Sequence, residues 1–146
     1  MSGPSDLSTA IARARISGEH TGVAPRALIV DDEPTIREAL KRFFRRLGWD
    51  TSEAVNGESA LAILLDDPPP AYDVVICDLR MPRMSGAELH DTLANDRPEL
   101  LDRFIFVAGD VTSPEIAAFV QRTKRPVILK PFELAALADL IEKTKT

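Results

Sequence analysis

The sequence predicts an α/β protein with a doubly wound, five-stranded parallel sheet of strand order 2-1-3-4-5. Two observations lead to this prediction. Short apolar, β-rich runs alternate five times with amphipathic helical segments. Acidic residues or a lysine directly follow three of these runs. The carboxyl ends of parallel strands lie at one edge of a sheet, and open α/β folds place their sites at that edge.

The first β/α unit begins with the apolar run 27–30, which predicts a buried strand. Pro34 stands shortly after it, at a position that the first turn of a helix accepts. Apolar residues then recur at helical spacing until Gly48, which predicts the end of the first helix. Residues 50–55 predict a short second strand, and Asn56-Gly57 turns the chain into a second helix.

The middle of the chain predicts a central strand with a helix on each side. Prolines at 68–70 end the second helix. Residues 72–77 form a nearly continuous apolar run, which is typical of a parallel strand covered on both faces. This strand leads directly into Asp78, and Ser85-Gly86 then begins a third helix that extends to about Asn95.

The last two β/α units follow the same alternation. Residues 104–107 predict the fourth strand. Thr112 and Glu115 have the spacing of a capping box, which predicts that the fourth helix begins at Thr112. Residues 126–129 predict the fifth strand, and a final helix follows with the apolar stripe Leu134, Leu137 and Ile141.

Composition excludes several classes of protein. A chain of 146 residues, 45% of them hydrophobic, fits one domain with one core. The net charge of −5 argues against binding to DNA, which requires a basic surface. No apolar run approaches the roughly 20 residues that span a bilayer, and Met1 opens no secretory signal. The single Cys77 fits a reducing compartment, so we expect a cytoplasmic protein without membrane contact.

The residues at three strand ends predict a site for a divalent cation and a phosphoryl group. Asp31 and Asp32 follow the first strand, Asp78 the third and Lys130 the fifth. Crowded carboxylates repel each other, and Mg²⁺, which prefers oxygen ligands, relieves that repulsion. Asp78 is central in this crevice and is therefore expected to be the nucleophile that forms an acyl phosphate. Lys130 is expected to neutralise charge on the phosphoryl oxygens, whereas Glu33 is expected to start the first helix and point elsewhere.

Three motifs resemble the receiver domain of bacterial two-component response regulators. They are Asp31-Asp32, the stretch from Asp78 to Gly86 that reads DLRMPRMSG, and Lys130-Pro131-Phe132. The resemblance covers residues 26–146 and implies a flavodoxin-like fold. It also implies a response regulator that receives a phosphoryl group on Asp78 from a histidine kinase or phosphotransfer protein and acts by contact with an unidentified downstream protein.

The same resemblance implies a set of roles for the site residues. Asp32, Asp78 and the Arg80 backbone carbonyl would bind Mg²⁺, with Asp31 helping through the metal or its water, and Lys130 would contact the phosphoryl group. No catalysis on other molecules is implied, only self-catalysed, Mg²⁺-dependent phosphoryl transfer and autodephosphorylation. A phosphatase of the haloacid dehalogenase type also uses an Asp nucleophile, but it needs a second Asp where this chain has Arg80.

Two positions depart from the pattern of that family. Ala108 stands where a Thr or Ser is expected at the end of the fourth strand, and Val127 stands where an aromatic residue is expected three residues before the lysine. The hydroxyl and the ring normally form the two halves of a switch. The alternative function is therefore a receiver-fold interaction module or phosphate sink whose switching is impaired.

Residues 1–25 lie outside the α/β pattern and form an N-terminal extension. Leu7, Ala10, Ile11 and Ala14 fall on one helical stripe. An isolated helix of this length is marginal in water, so the segment either packs on its own domain or a second subunit, or is a disordered tail. We expect it to pack and to support a homodimer, which deletion of residues 1–22 would abolish.

Overall fold

The computed structural model describes residues 24–66 and 71–145, and their sheet has the predicted order. All four pairings between neighbouring strands are parallel, in the order β2-β1-β3-β4-β5. Because β1 and β3 are adjacent in the middle, the residues that follow them are neighbours at the carboxyl edge. The strands are β1 (Arg26–Val30), β2 (Asp50–Ala54), β3 (Val74–Asp78), β4 (Phe104–Ala108) and β5 (Val127–Leu129).

Helices cover both faces of the sheet, so side chains of both faces of the central strands are buried. Alternate residues of β1 and β3 enter one cluster with the first and last helices, and the remaining residues enter a second cluster with the other three. This explains why residues 72–77 read as a continuous apolar run rather than an alternating one. The helices are α1 (Pro34–Leu47), α2 (Gly57–Leu64), α3 (Gly86–Asp96), α4 (Pro114–Arg122) and α5 (Leu134–Lys145).

The ends of α1 confirm the sequence signals that predicted them. Pro34 is in the first turn, where its missing N–H costs no helical hydrogen bond. Gly48 closes the helix in the left-handed region, with φ 83°, and its N–H donates to the carbonyls of Arg45 and Phe44.

The predicted capping box at Thr112 is wrong. Ser113 is the N-cap residue of α4, whereas Thr112 donates its N–H and its hydroxyl to the carboxylate of Asp110. The complete capping box lies at Ser85 and Glu88, at the start of α3, where each residue bonds the backbone N–H of the other. Spacing alone could not decide between a cap and a turn, because both use the same short polar side chains.

Several boundaries differ from the prediction by one or two residues, as is usual for element ends. Strand β2 ends at Ala54, β3 begins at Val74 and β5 begins at Val127. A 3₁₀ helix at Pro98–Arg103, which the sequence analysis missed, connects α3 to β4. The predicted helical stripe at residues 7–14 and the prolines at 68–70 lie outside the described residues. Within the described part of the chain, every helix is too short or too polar to cross a membrane.

Candidate functional site

The carboxyl edge of the sheet brings the predicted acids together. Val30 is paired with Cys77, so the residues that follow them, Asp31 and Asp78, are placed side by side. Both side chains are buried, with 2% and 4% of their surfaces exposed, whereas Asp32 is exposed at the rim. The main chain fixes Asp31 because its N–H donates to the carbonyl of Ala54 on β2.

Lys130 reaches this acidic pair from β5. Its backbone N–H donates to the Ala108 carbonyl at 2.8 Å, which fixes the residue at the end of β4. The Nζ atom lies 3.0 Å from Asp78 Oδ2 and 3.3 Å from Asp31 Oδ2. The peptide bond between Lys130 and Pro131 is cis. The predicted convergence of three strand ends on one lysine therefore occurs in the structure.

Glu33 also belongs to this group, contrary to the expectation that it points elsewhere. Its Oε1 atom lies 3.0 Å from Lys130 Nζ. Glu33 is the N-cap residue of α1, and no hydrogen bond to the helix end occupies its side chain. The carboxylate is therefore available to turn toward the lysine. The expected orientation is wrong because Glu33 precedes the helix, and its backbone is extended rather than helical.

Charge and burial shift the pKa values of Asp31 and Lys130. Burial raises the pKa of Asp31 to about 6; the negative charge of Asp78 adds to this, while the hydrogen bond from the Glu33 N–H opposes it. Burial lowers the pKa of Lys130, but hydrogen bonds to Asp78 and Glu33 outweigh burial and raise it. Lys130 therefore carries its charge at neutral pH, and a further positive charge beside Asp31 would favour the ionised carboxylate.

The donor set fits a hard divalent cation. Asp31, Asp32, Glu33 and Asp78 each offer one carboxylate oxygen, and these four atoms lie within 4.8 Å of one another. A few carboxylate oxygens at a partly exposed site are the kind of ligands that Mg²⁺ uses, because this ion keeps several of its water molecules. Two of the carboxylates are buried and repel each other, which a cation would relieve.

The loop from Leu79 to Ser85 forms one wall of the site. Its start is fixed by two backbone donors, since the Leu79 N–H bonds the Val107 carbonyl at 2.9 Å and the Arg80 N–H bonds Asp78 Oδ1 at 3.1 Å. The second bond fixes the orientation of the Asp78 carboxylate. Arg80 is exposed and lines the open cleft beside Asp78.

A cleft of about 190 Å³ opens above these residues. Glu33, Asp78, Arg80 and Lys130 line it together with Gly109 and Asp110 on the loop after β4. Asp110 is not among the residues predicted for the site, because it lies two residues beyond the end of β4 rather than directly at it. Its carboxylate adds negative charge opposite Lys130, and its pKa is lowered by the hydrogen bonds from Thr112.

The two atypical positions lie beside the site on one face of the sheet. Ala108 is buried and presents only a methyl group, and Val127 is half-buried and packs in the same cluster. Val127 is paired with Phe106 of β4, whose ring lies 5.2 Å from the ring of Phe119 on α4. His90 of α3 contacts the Phe119 ring at 5.0 Å. Aromatic side chains on this face therefore come from β4, α4 and α3.

Comparisons with known proteins agree with this fold. The family model described as "Response regulator receiver domain" matches residues 27–142. Chemotaxis protein CheY-3 of Vibrio cholerae is 30% identical over 119 residues, which are 81% of this chain and 89% of that protein. The chain spans only 24% to 44% of the length of other curated relatives that it matches.

Solved structures give the same result. A response regulator receiver protein from Pseudomonas putida has a TM-score of 0.70 and 32% identity, over 83% of this chain and 98% of that one. The response regulator TrrA of Thermotoga maritima has a TM-score of 0.65 and 29% identity, over 82% of this chain and 98% of that one. The latter was solved in complex with Mg²⁺ and BeF.

Proposed function

Because this chain belongs to the family of response regulator receiver domains, which act in two-component signal transduction, we propose that Asp78 is its phosphoacceptor. A histidine kinase or phosphotransfer protein in the cytoplasm would supply the phosphoryl group, as such proteins do for the family. One observation carries the assignment to Asp78. Its carboxylate is almost fully buried, yet it lines an open cleft and lies 3.0 Å from the charged Nζ of Lys130.

The residues divide the reaction among them. An Asp78 carboxylate oxygen attacks the phosphorus of the donor, the bond from phosphorus to the donor atom breaks, and an acyl phosphate forms. The hydrogen bond from the Arg80 N–H holds the Asp78 side chain in one orientation for this attack. Lys130 places a positive charge where the phosphoryl oxygens gather negative charge. Transfer and later hydrolysis would thus be self-catalysed.

Mg²⁺ would be held by Asp32, Asp78 and the Arg80 backbone carbonyl. Asp31 would bind the ion directly or through a water molecule. The ion would neutralise charge between the acids and the phosphoryl oxygens. Glu33 lies in the same acidic group but is paired with Lys130, so we assign it to the lysine rather than to the metal.

The proposal is tested by incubating the protein with a small phosphodonor and Mg²⁺ and measuring its intact mass. We expect the mass of one phosphoryl group to be added, and we expect a chelator to prevent this. Labelling that proceeds equally well with the chelator would contradict the role of the acidic cluster.

The second candidate function, an interaction module or phosphate sink with impaired switching, is favoured by Ala108. A hydroxyl at this position would give the phosphoryl group one more charge-assisted hydrogen bond, of about 1.5–3 kcal/mol. A methyl group forms no such bond, so the side chain of residue 108 would not link a phosphoryl group on Asp78 to the end of β4. The phosphoacceptor regulator would act by contact with another protein, whereas a phosphate sink would only take up the phosphoryl group.

We predict that Ala108→Thr strengthens the coupling between phosphate and the face of α4, β5 and α5. With a phosphate analogue and Mg²⁺, amide chemical shifts on that face should change little in the unmodified protein and more in the variant. Val127→Thr is the control, because it places a hydroxyl on the same sheet face farther from the strand end. Equally large changes in the unmodified protein and Ala108→Thr would show that switching uses other residues.

Binding of Mg²⁺ should weaken as the pH falls through about 6, where Asp31 takes up a proton. The pKa of this carboxyl is raised from 3.8, so between these values the folded protein binds a proton that the unfolded chain does not. The metal-free protein should therefore gain stability from this group on acidification, while the metal must displace the proton. Calorimetric titrations from pH 7.5 to 5 should show the loss of affinity. In Asp31→Asn, binding should be weaker but should lack the pH step near 6.

A further inference from the structure

The start of α2 contacts the loop 79–85 on the side away from Asp78. The Gly57 N–H donates to the Met84 carbonyl at 3.1 Å. Glu58, the next residue, forms an ion pair with Arg83. Among the described residues, Arg83 is the one non-glycine residue with positive φ, at 73°. Such a backbone conformation persists where the surroundings hold it, and residues with it are concentrated at functional sites.

The approach of Gly57 to the loop leaves no space for a side chain. A Cβ atom on Gly57 would lie 2.5 Å from the Met84 carbonyl oxygen and 2.8 and 2.9 Å from Met84 Cγ and Cβ. Rotation of the Met84 side chain can move Cγ, but the carbonyl oxygen and Cβ are fixed by the backbone and can move only with the loop. The start of α2 is fixed separately, because Asn56 caps it by accepting the Ser59 N–H at 2.8 Å. A side chain at position 57 would therefore displace the loop.

A displacement of Met84 would reach the candidate metal site. The two ends of the loop are tied together by the Gly86 N–H, which donates to the Leu79 carbonyl at 3.1 Å. Arg80 follows Leu79 and donates its own N–H to Asp78. The segment that contains the Arg80 carbonyl is thus a short closed loop, held at one side by Asp78 and at the other by α2.

We propose that Gly57 and Glu58 are positioning residues for the metal ion. They hold the loop so that the Arg80 carbonyl stands beside the Asp78 carboxylate, and neither residue touches the ion. This inference rests on the proposed function, since it takes Mg²⁺ as the ion bound there. Two contacts hold the loop in this way, namely the close approach of Gly57 to Met84 and the Glu58–Arg83 ion pair.

The first test is a titration of the full chain with Mg²⁺, followed by the amide chemical shifts of Asp78 and Arg80. Gly57→Ala should weaken binding about tenfold, the effect typical of losing a partner that orients a metal ligand. Gly48→Ala is the matched control. Gly48 has a left-handed φ of 83° and free space for a Cβ. The Gly48→Ala protein should therefore lose stability through backbone strain but keep its affinity for Mg²⁺. Unchanged affinity in Gly57→Ala would overturn the proposal.

A second test applies even if Gly57→Ala does not fold. Glu58 and Arg83 are both exposed, so changes of charge there leave the core intact. Glu58→Arg should weaken Mg²⁺ binding about two- to threefold, as expected for loss of an exposed ion pair. Arg83→Glu alone should also weaken binding, although its added negative charge would by itself favour a cation. Combining the two changes should restore the affinity, because the pair is remade with the original net charge. If the double variant does not recover its affinity for Mg²⁺, the Glu58–Arg83 pair does not position the loop.

The result for the unmodified protein separates the two hypotheses. If the unmodified chain binds no Mg²⁺ and is not phosphorylated, the proposed function is wrong. If it binds the ion and the Gly57 and Glu58 variants bind equally well, only the positioning role is wrong.

Discussion

Asp78→Asn protein should take up no phosphoryl group under conditions in which the unmodified protein is labelled completely. An amide at this position has nearly the same shape but is not a nucleophile, so the bond to phosphorus cannot form. The fold should survive, because Asn keeps the acceptor for the Arg80 N–H and Lys130 keeps its contacts with Asp31 and Glu33. Intact mass after incubation with a phosphodonor and Mg²⁺ measures the effect.

Asp110→Asn is the matched control for this experiment. It makes the same chemical change in the same cleft but leaves the proposed nucleophile in place, so labelling should persist. Removal of a negative charge opposite Lys130 should even favour entry of an anionic donor. A stable adduct on Asp78→Asn protein would show that another residue accepts the phosphoryl group.

Gly86→Ala should reduce the free energy of unfolding by about 3 kcal/mol, at the upper end of the cost of overpacking. The added Cβ atom would lie 2.4 Å from the carbonyl oxygen of Asp78 and 3.0 Å from the Cα of Leu79. Both atoms belong to the backbone at the end of β3, which is paired on both sides and cannot yield. The gain of up to about 1 kcal/mol from replacing glycine in a helix is smaller than this cost.

Urea denaturation of Gly86→Ala and Gly109→Ala provides the comparison. Gly109 has no atom within 4 Å of an added Cβ, so its substitution should change stability by less than about 0.5 kcal/mol. Equal stability losses for the two variants would show that the close approach of α3 to Asp78 is not what requires glycine at position 86.

The fold and the position of the site were predictable because they depend on signals that are local in the sequence. A fully buried parallel strand reads as an apolar run, as in Val74–Asp78. The helices between strands require right-handed crossovers, which restrict the sheet to a few strand orders, and 2-1-3-4-5 is a common one among them. Once the order is fixed, the residues at the carboxyl ends of β1, β3 and β5 must meet. This is why Asp31, Asp78 and Lys130 could be placed together without coordinates.

Side-chain partners could not be predicted in the same way. Glu33 was expected to point away, and Thr112 was expected to cap α4, but Glu33 contacts Lys130 and Thr112 contacts Asp110. In both cases one polar side chain had several partners within reach, and a single hydrogen bond contributes only about 0.5–1.5 kcal/mol net, which is too little to favour one partner from sequence alone. Such choices are settled by which groups the rest of the fold brings near.

The sequence by itself determined the class of fold, the strand order and the acidic site with its lysine, because burial and strand ends are encoded by residue type and spacing. Only the tertiary structure decided that Glu33 joins Lys130, that Asp110 lines the cleft and that Gly57 lies against Met84. These contacts join residues that are distant in the chain or lie in loops. Their geometry depends on how α1, α2 and the loops pack on the sheet, and no periodic pattern records that packing.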